Sequence, residues 1–483
     1  MTMAMVCQVF SLLACGENQV IDLLPRDAVD TVRFVMRVFR PIEGLVLPMK
    51  ILLVGSGGRE HALAWALHQN SSAPLELFCA PGNPGIAQIA ECVPVSATDI
   101  RGIAGLAEQE RIDLTFVGPE APLAEGIVDE FEERGLRIVG PGRQAARLES
   151  SKAFAKDFMR RHRIPTARYR VALSADEAKK FLGTGEFGDA QTPVVVKADG
   201  LAAGKGVVVA SSRPEAVRAI EDFTSGSVSP EAARRIVIEE ALTGREASLL
   251  LFSDGRDFRL MPAARDHKRV GENDTGPNTG GMGSITDASV LSDDIQDRIV
   301  HEIVEPTLQG ASDEGFPFRG VLFIGLMLTN DGPRVLEYNV RFGDPETQAI
   351  LVRLQADLAN IFEAIIETRL AQLEVNWSID SSACVVLAAR GYPGKPEIGA
   401  RIEGLDRASG RENIFTFHAA TARGPKGEWL TAGGRILGIT STAETLDLAL
   451  SRCYEAVSDI HWDGMHYRRD IGGPTVRGAR SAS

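Results

Sequence analysis

Apolar and polar positions along this chain fall into short runs that predict strands and helices in turn, and the first clear unit starts at Lys50. There the run Ile51-Leu52-Leu53-Val54 breaks at Gly55-Ser56-Gly57-Gly58 and gives way to a helical spacing of apolar residues from His61 to Gln69. Strand, tight turn and helix in that order open a doubly wound α/β domain. Further strands are predicted at 75–79, 113–117 and 136–139, and each runs into glycine and proline: Ala80-Pro81-Gly82, Gly118-Pro119-Glu120 and Gly140-Pro141-Gly142. In a parallel sheet those carboxyl ends form the ligand edge, so the three loops should line one crevice. Ser150 or Ser151 is placed to cap a helix over 152–161. From Pro193 the pattern changes to short strands at 194–196, 207–209, 235–239 and 247–252. A longer pair at 321–328 and 333–339 is joined by Asn330-Asp331-Gly332, a strong hairpin signal. The last region, 378–471, mixes short strands such as 384–387 with a helix expected over 443–457.

At 483 residues the chain exceeds one ordinary core and should divide into several domains. A composition 44% hydrophobic and 24% charged is that of a soluble globular protein. The formal net charge of -13 argues against a sequence-independent grip on nucleic acid, though local basic groups could still hold small anions. The six cysteines show no paired spacing, which fits neither a zinc site nor a disulfide framework and suits a reducing cytoplasm. No apolar run approaches the ~20 residues of a membrane-spanning helix, so neither nucleic acid nor membrane is expected as a partner. Residues 1–48 stand apart. Leu12-Leu13-Ala14-Cys15 has the look of a lipoprotein cleavage box, but no Lys or Arg precedes it as a signal peptide requires. The expectation is a poorly ordered, nonessential extension before Met49.

The chemistry begins with Lys197-Ala198-Asp199-Gly200-Leu201-Ala202-Ala203-Gly204-Lys205-Gly206. A Walker loop needs four residues between its glycines and a Ser or Thr after the lysine. Here only three residues separate Gly200 from Gly204, Gly206 follows Lys205, and valine strands flank both sides, so the segment is a hairpin tip. Such a hairpin can fold over a triphosphate, offering backbone N–H groups and Lys205, with Lys197 at the end of the preceding strand; a plain surface hairpin is the alternative. Glu337 and Asn339, two apart in a strand, would face one side together with Arg341 if the strand continues. Carboxylate and amide oxygens suit magnesium, although a solvated strand face gives the same pattern.

Taken together these stretches resemble the ATP-grasp enzymes and, within them, the phosphoribosylamine–glycine ligase family. The resemblance runs from about Met49 to Ile471. It rests on Gly55-Ser56-Gly57-Gly58-Arg59-Glu60-His61-Ala62, the glycine hairpin, Asp266-His267-Lys268-Arg269-Val270, Asp274-Thr275-Gly276-Pro277-Asn278-Thr279-Gly280-Gly281-Met282-Gly283 and Arg341-Phe342-Gly343-Asp344-Pro345-Glu346-Thr347. It implies an α/β chain with a doubly wound domain over 49–150, an ATP-grasp domain over 151–375 with a lid at about 170–238, a mixed α/β domain over 376–475 and a tail over 476–483. The implied reaction joins glycine to 5-phosphoribosylamine with ATP as co-substrate and Mg2+ or Mn2+ as cofactor. By position, Lys152, Lys197 and the loop Gly200, Gly204, Lys205, Gly206 would hold ATP phosphates, and Glu239, Glu240, Leu242 and Glu246 its adenosine. Glu337 and Asn339 would hold the metal, while Arg341 would take the glycine carboxylate and, with Lys197, the reacting charge. Gly57, Gly58, Arg59, Glu60, Glu120, Asp266, Thr279, Gly280, Gly281, Met282 and Asp344 would surround the substrates. The implied protein is a cytoplasmic monomer, with transient contact to other purine-pathway enzymes left open. Three departures stand out: Phe323-Ile324 replaces a Tyr-Ala pair, Ser284-Ile285-Thr286-Asp287 lacks the proline-containing continuation common after the Gly-Gly-Met-Gly segment, and His418-Ala419-Ala420-Thr421 carries alanine where the family usually has glycine, a methyl group that could crowd a turn.

Overall fold

The computed structural model describes residues 48–202 and 206–473. The apolar run after Lys50 forms β1 (Met49–Gly55), buried from Ile51 onward, and the glycines after it admit the turn into α1 (Gly58–Asn70). β2 (Leu75–Pro81), β3 (Glu91–Cys92), α2 (Ile100–Glu110), β4 (Leu114–Val117) and β5 (Ile138–Val139) follow. The five strands pair in parallel in the order β3-β2-β1-β4-β5. Strand order reverses between β1 and β4, so the ligand crevice of this sheet opens at their carboxyl ends, where Gly55–Gly58 and Gly118–Glu120 stand.

α3 (Arg143–Ser150) leads into α4 (Lys152–Arg161). Ser151 rather than Ser150 caps α4, its hydroxyl accepting the Phe154 N–H at 3.2 Å. A separate four-stranded sheet comes next, built of β6 (Tyr169–Ala172), β7 (Val194–Ala198), β8 (Val207–Ala210) and β9 (Ile236–Glu240) in the order β6-β9-β7-β8. Val194 and Val196 bury one face of β7 with Ile236, Ile238, Ile220 and Phe223, leaving Val195 on the other face. The glycine hairpin joins β7 to β8, as its flanking valines predict; its Gly204 and Lys205 lie outside the described residues. At the hairpin base the Ala198 N–H donates to the Gly206 carbonyl at 2.8 Å. A Cβ on Gly206 would fall 2.7 Å from the Ala202 methyl, so only glycine lets the loop fold back this closely. Asp199 ties the hairpin to α4: its carboxylate accepts from Ser151 Oγ and the Ala153 N–H at 3.0 Å and pairs with Arg235 at 2.6 Å. The negative charge sits where the helix dipole favours it.

The larger sheet has nine strands: β10 (Arg245–Asp254), β11 (Phe258–Leu260), β12 (Ala264–Asp266), β13 (Gly283–Thr286), β14 (Arg319–Thr329), β15 (Gly332–Asn339), β16 (Ser381–Ala388), β17 (Ile414–His418) and β18 (Arg435–Ala443). Their order is β15-β14-β10-β12-β13-β16-β18-β17, with β11 on β10. The pairing of β13 with β16 carries one sheet through residue 376, from the central region into the C-terminal one. β14 and β15 meet at Asn330-Asp331 as the hairpin signal predicts, and their register slips after Gly325, leaving Leu336 as a bulge residue. The helix expected from 443 starts later. Ala443 is the last residue of β18, and Thr445 caps α5 (Leu446–Asp459), because the pairing of Ala443 with Ser381 of β16 outweighs its local helix propensity. At Ala419-Ala420 neither residue has the left-handed backbone that would require glycine. Among the described residues no helix is long and apolar enough to cross a membrane.

Candidate active site

A cleft of about 1340 Å3 opens between the four-stranded sheet and the nine-stranded sheet. Three lysines meet at one end. Lys152, the first residue of α4, donates to the Gly200 carbonyl at 2.8 Å and has no carboxylate within ion-pair distance among the described residues. Lys197, from β7, crosses to the bulge in β15, where it donates to the Leu336 carbonyl at 3.0 Å, and pairs with Glu239 at 2.9 Å. Lys156, one turn beyond Lys152, takes the other Glu239 oxygen at 2.9 Å and Thr166 Oγ1 at 2.7 Å. Burial pushes the Glu239 carboxyl up, but the two ammonium groups outweigh it and hold it below the usual range. Burial also pushes Lys156 down to about 8 and lowers Lys152. Glu239 therefore commits its side chain to the two lysines, while its backbone stands in the sheet between Tyr169 and Val195. Glu240 pairs with Arg168 at 2.6 Å, and both line the cleft together with Leu242.

Glu337 and Asn339 face the cleft from β15, two residues apart as strand geometry requires. Burial raises the Glu337 carboxyl, and Lys268, Lys197 and Lys152 outweigh it to leave the group ionised below its ordinary range. An ionised carboxylate beside an amide oxygen is a hard donor pair that fits a divalent cation. Among the described residues no group of three or more His, Cys, Asp or Glu side chains is set to hold a metal, so the other ligands of such an ion would be water and phosphate oxygens. Lys268 stands 3.7 Å from both Glu246 and Glu337. Asp266 and Glu346, both at the cleft, are raised first by burial, Asp266 further by the Glu246 and Glu337 charges and Glu346 further by the Asp266 charge.

Beyond Glu337 and Asn339 lies Arg341. Its Nη2 meets Glu149 at 2.8 Å and Asn339 Oδ1 at 3.4 Å, its Nε meets Glu120 at 3.2 Å, and its Nη1 donates to the Phe342 carbonyl at 3.1 Å. Arg59 also lines the cleft and donates to the Phe342 carbonyl at 3.1 Å. Glu60 is different: it is buried, paired with Arg59 at 2.6 Å, and accepts the Gly57 N–H at 2.6 Å, so it holds the Gly55–Gly57 turn instead of facing the cleft. Gly57, Gly58, Gly200, Gly281 and the fully buried Met282 likewise do not line it. Thr279, Gly280 and Asp344 do, and two residues of the C-terminal region hold them in place. Arg435 pairs with Asp344 at 2.7 Å and donates to the Gly280 carbonyl at 2.5 Å, and the Tyr392 hydroxyl accepts the Gly280 N–H at 3.0 Å.

The cleft thus gathers Lys152, Lys197, Gly206, Leu242, Glu246, Asp266, Glu337, Asn339, Arg341 and Asp344 from positions far apart in sequence. Sequence reasoning missed Lys156, Glu149, Lys268, Glu346, Tyr392 and Arg435. Lys156 carried a signal, its four-residue spacing from Lys152 on one helix face, and Lys268 and Glu346 sat inside motifs already singled out. Glu149 and Arg435 carried none.

A small four-stranded sheet and a large sheet on either side of a lysine-lined cleft with acidic residues define an ATP-grasp ligase. The chain belongs to the phosphoribosylglycinamide synthetase family: family models of its N domain, ATP-grasp (A) domain and C domain match residues 49–149, 150–347 and 382–474. It is similar to a phosphoribosylamine–glycine ligase of Xanthomonas axonopodis pv. citri, 46% identical over 437 residues that span 90% of this chain and 100% of that protein. One from Brucella melitensis biotype 1 is 45% identical over 426 residues, 88% of this chain and 97% of that one. The crystal structure of phosphoribosylamine–glycine ligase from Thermotoga maritima superposes with a TM-score of 0.75 at 34% identity, covering 88% of this chain and 100% of that one. The biotin carboxylase domain of Hydrogenobacter thermophilus 2-oxoglutarate carboxylase, solved with MgADP, shares the fold, with a TM-score of 0.65 at 18% identity over 86% of this chain and 91% of that one.

Proposed function

We propose that the protein joins glycine to 5-phosphoribosylamine, cleaving ATP to ADP and phosphate and giving N1-(5-phosphoribosyl)glycinamide, the second step of de novo purine synthesis in the cytoplasm. The observation that carries this is the convergence of Lys152 and Lys197, the Glu337–Asn339 pair and Arg341 along one cleft, in a chain of this family. Lys152, Lys197 and the glycine hairpin hold the ATP phosphates, and the backbone of 239–242 meets the base. Glu337 and Asn339 hold Mg2+ or Mn2+, which when bound neutralises charge on the phosphoryl oxygens.

Arg341 presents a fork of N–H donors suited to the glycine carboxylate. A carboxylate oxygen attacks the γ-phosphorus and the bond to ADP breaks, leaving glycyl phosphate; a poor leaving group has become a good one. The amine of phosphoribosylamine then attacks the acyl carbon, the bond to phosphate breaks and the amine gives up a proton. Positioning and charge neutralisation drive both steps, without a side-chain nucleophile. Glu120, Asp266, Thr279, Gly280 and Asp344 border the space left for the amine substrate, and the protein works as a monomer. Following ADP formation while ATP, divalent metal, glycine and freshly generated phosphoribosylamine are omitted in turn tests the proposal. Turnover requiring all four is expected; ADP formation indifferent to both glycine and phosphoribosylamine would overturn it.

A further inference from the structure

Glu149 is unusual among the acidic groups around the cleft in making two different contacts, both directed at the segment that carries Arg341. It stands near the end of α3 and only 8% of the residue is exposed. One oxygen accepts the Val340 N–H at 2.8 Å and the other takes Arg341 Nη2 at 2.8 Å. The same carboxylate therefore fixes the backbone leaving β15, just after Asn339, and the direction of the guanidinium that follows. Glu120, the second carboxylate on Arg341, is held more loosely: its contact is 3.2 Å, and 31% of its side chain is exposed against 7% for Glu149.

A buried guanidinium with an unlocked side chain would have several orientations to choose from, and each rotamer lost on binding weakens the substrate's grip. We propose that Glu149 is a positioning residue that holds Arg341 aimed into the cleft for the glycine carboxylate, while the looser Glu120 is the partner which that carboxylate replaces. An incoming anion cannot be added to an arginine already flanked by two carboxylates without displacing one, and the exposed, longer contact is the one that yields. The inference rests on the ligase function proposed above.

Steady-state kinetics of Glu149→Gln against the unaltered enzyme tests it. Glutamine keeps the volume and an oxygen for the Val340 N–H but removes the charge that orients Arg341. The KM for glycine should rise about tenfold or more, the worth of one charge-assisted hydrogen bond, while the KM for ATP stays within about twofold. A merely structural role would lower the melting temperature and shift both constants together, and that result overturns the proposal, as does an unchanged KM for glycine. If Glu149→Gln does not fold, Glu149→Asp keeps the charge but draws it back by one methylene. The KM for glycine should then rise by about threefold or more with ATP unaffected, and no change would overturn the proposal. Absence of glycine-dependent turnover in the unaltered enzyme would instead remove the ligase function itself, so the two failures are distinct.

Discussion

His267 offers a quantitative test of how tightly the loops around the cleft are packed. Only 1% of it is exposed, its Nε2 accepts the Gly472 N–H at 2.9 Å, and it lies between Asp266 and Lys268 on the cleft wall. Burial, helped by the nearby Arg468 and Arg265 charges, lowers its pKa from 6.5 to about 4. A folded pKa below the unfolded one means that the unfolded chain binds the proton first. The stability His267 contributes is then fully present above pH 6.5 and is lost as pH falls toward about 4. Between about pH 7.5 and about pH 5.5 the loss amounts to roughly 1.4 kcal/mol for this one group. Other buried groups titrate in the same range: His61 and His418 in the same sense, lowered to about 4 and about 3 by burial, and Glu346 and Asp266 in the opposite sense. The diagnostic quantity is therefore a difference. In urea unfolding followed by circular dichroism at both pH values, the unaltered protein should lose about 1.4 kcal/mol more than His267→Gln. Superimposable pH dependences would refute the buried, neutral imidazole.

Three further outcomes are expected. Glu337→Gln should cut ADP formation at least about a hundredfold at limiting metal while leaving the thermal transition in place, and unchanged turnover would contradict the metal pair. Glu239→Gln leaves Lys156 and Lys197 buried without their shared counter-charge and should lower the unfolding free energy by about 3 kcal/mol, measured by denaturant midpoint; an unmoved midpoint would contradict the buried triad. Ala419→Gly should change kcat/KM by less than about threefold, since the alanine backbone is unstrained there. A large gain in activity would show that the methyl does crowd the site.

Local chemistry made much of this legible in the sequence. Ser151 and the spacing after it announced α4, the valines around the glycine hairpin excluded a strand-to-helix loop, and Glu337 with Asn339 followed from the two-residue period of a strand. What escaped depends on partners distant in sequence. Glu149 looks like any helix-terminal glutamate until Val340, 191 residues away, is seen to donate to it. Arg435 becomes part of the cleft only because β18 and β13 both pair with β16, which brings it beside Asp344. Glu60, which the resemblance sets beside the substrates, has its side chain in the space behind the glycine turn. The late start of α5 has the same origin, since the pairing of Thr442 and Ala443 with β16 decides what local propensity leaves open.

The most direct measurement of the central claim follows the carboxylate oxygen. Glycine labelled with heavy oxygen in its carboxyl group is turned over with ATP, divalent metal and phosphoribosylamine, and the inorganic phosphate released is analysed by mass spectrometry. Attack of the carboxylate on the γ-phosphorus predicts one labelled oxygen in each phosphate, with the other retained in the amide product. Phosphate free of label, with the displaced heavy oxygen lost to water instead, would contradict an acyl phosphate formed in this cleft.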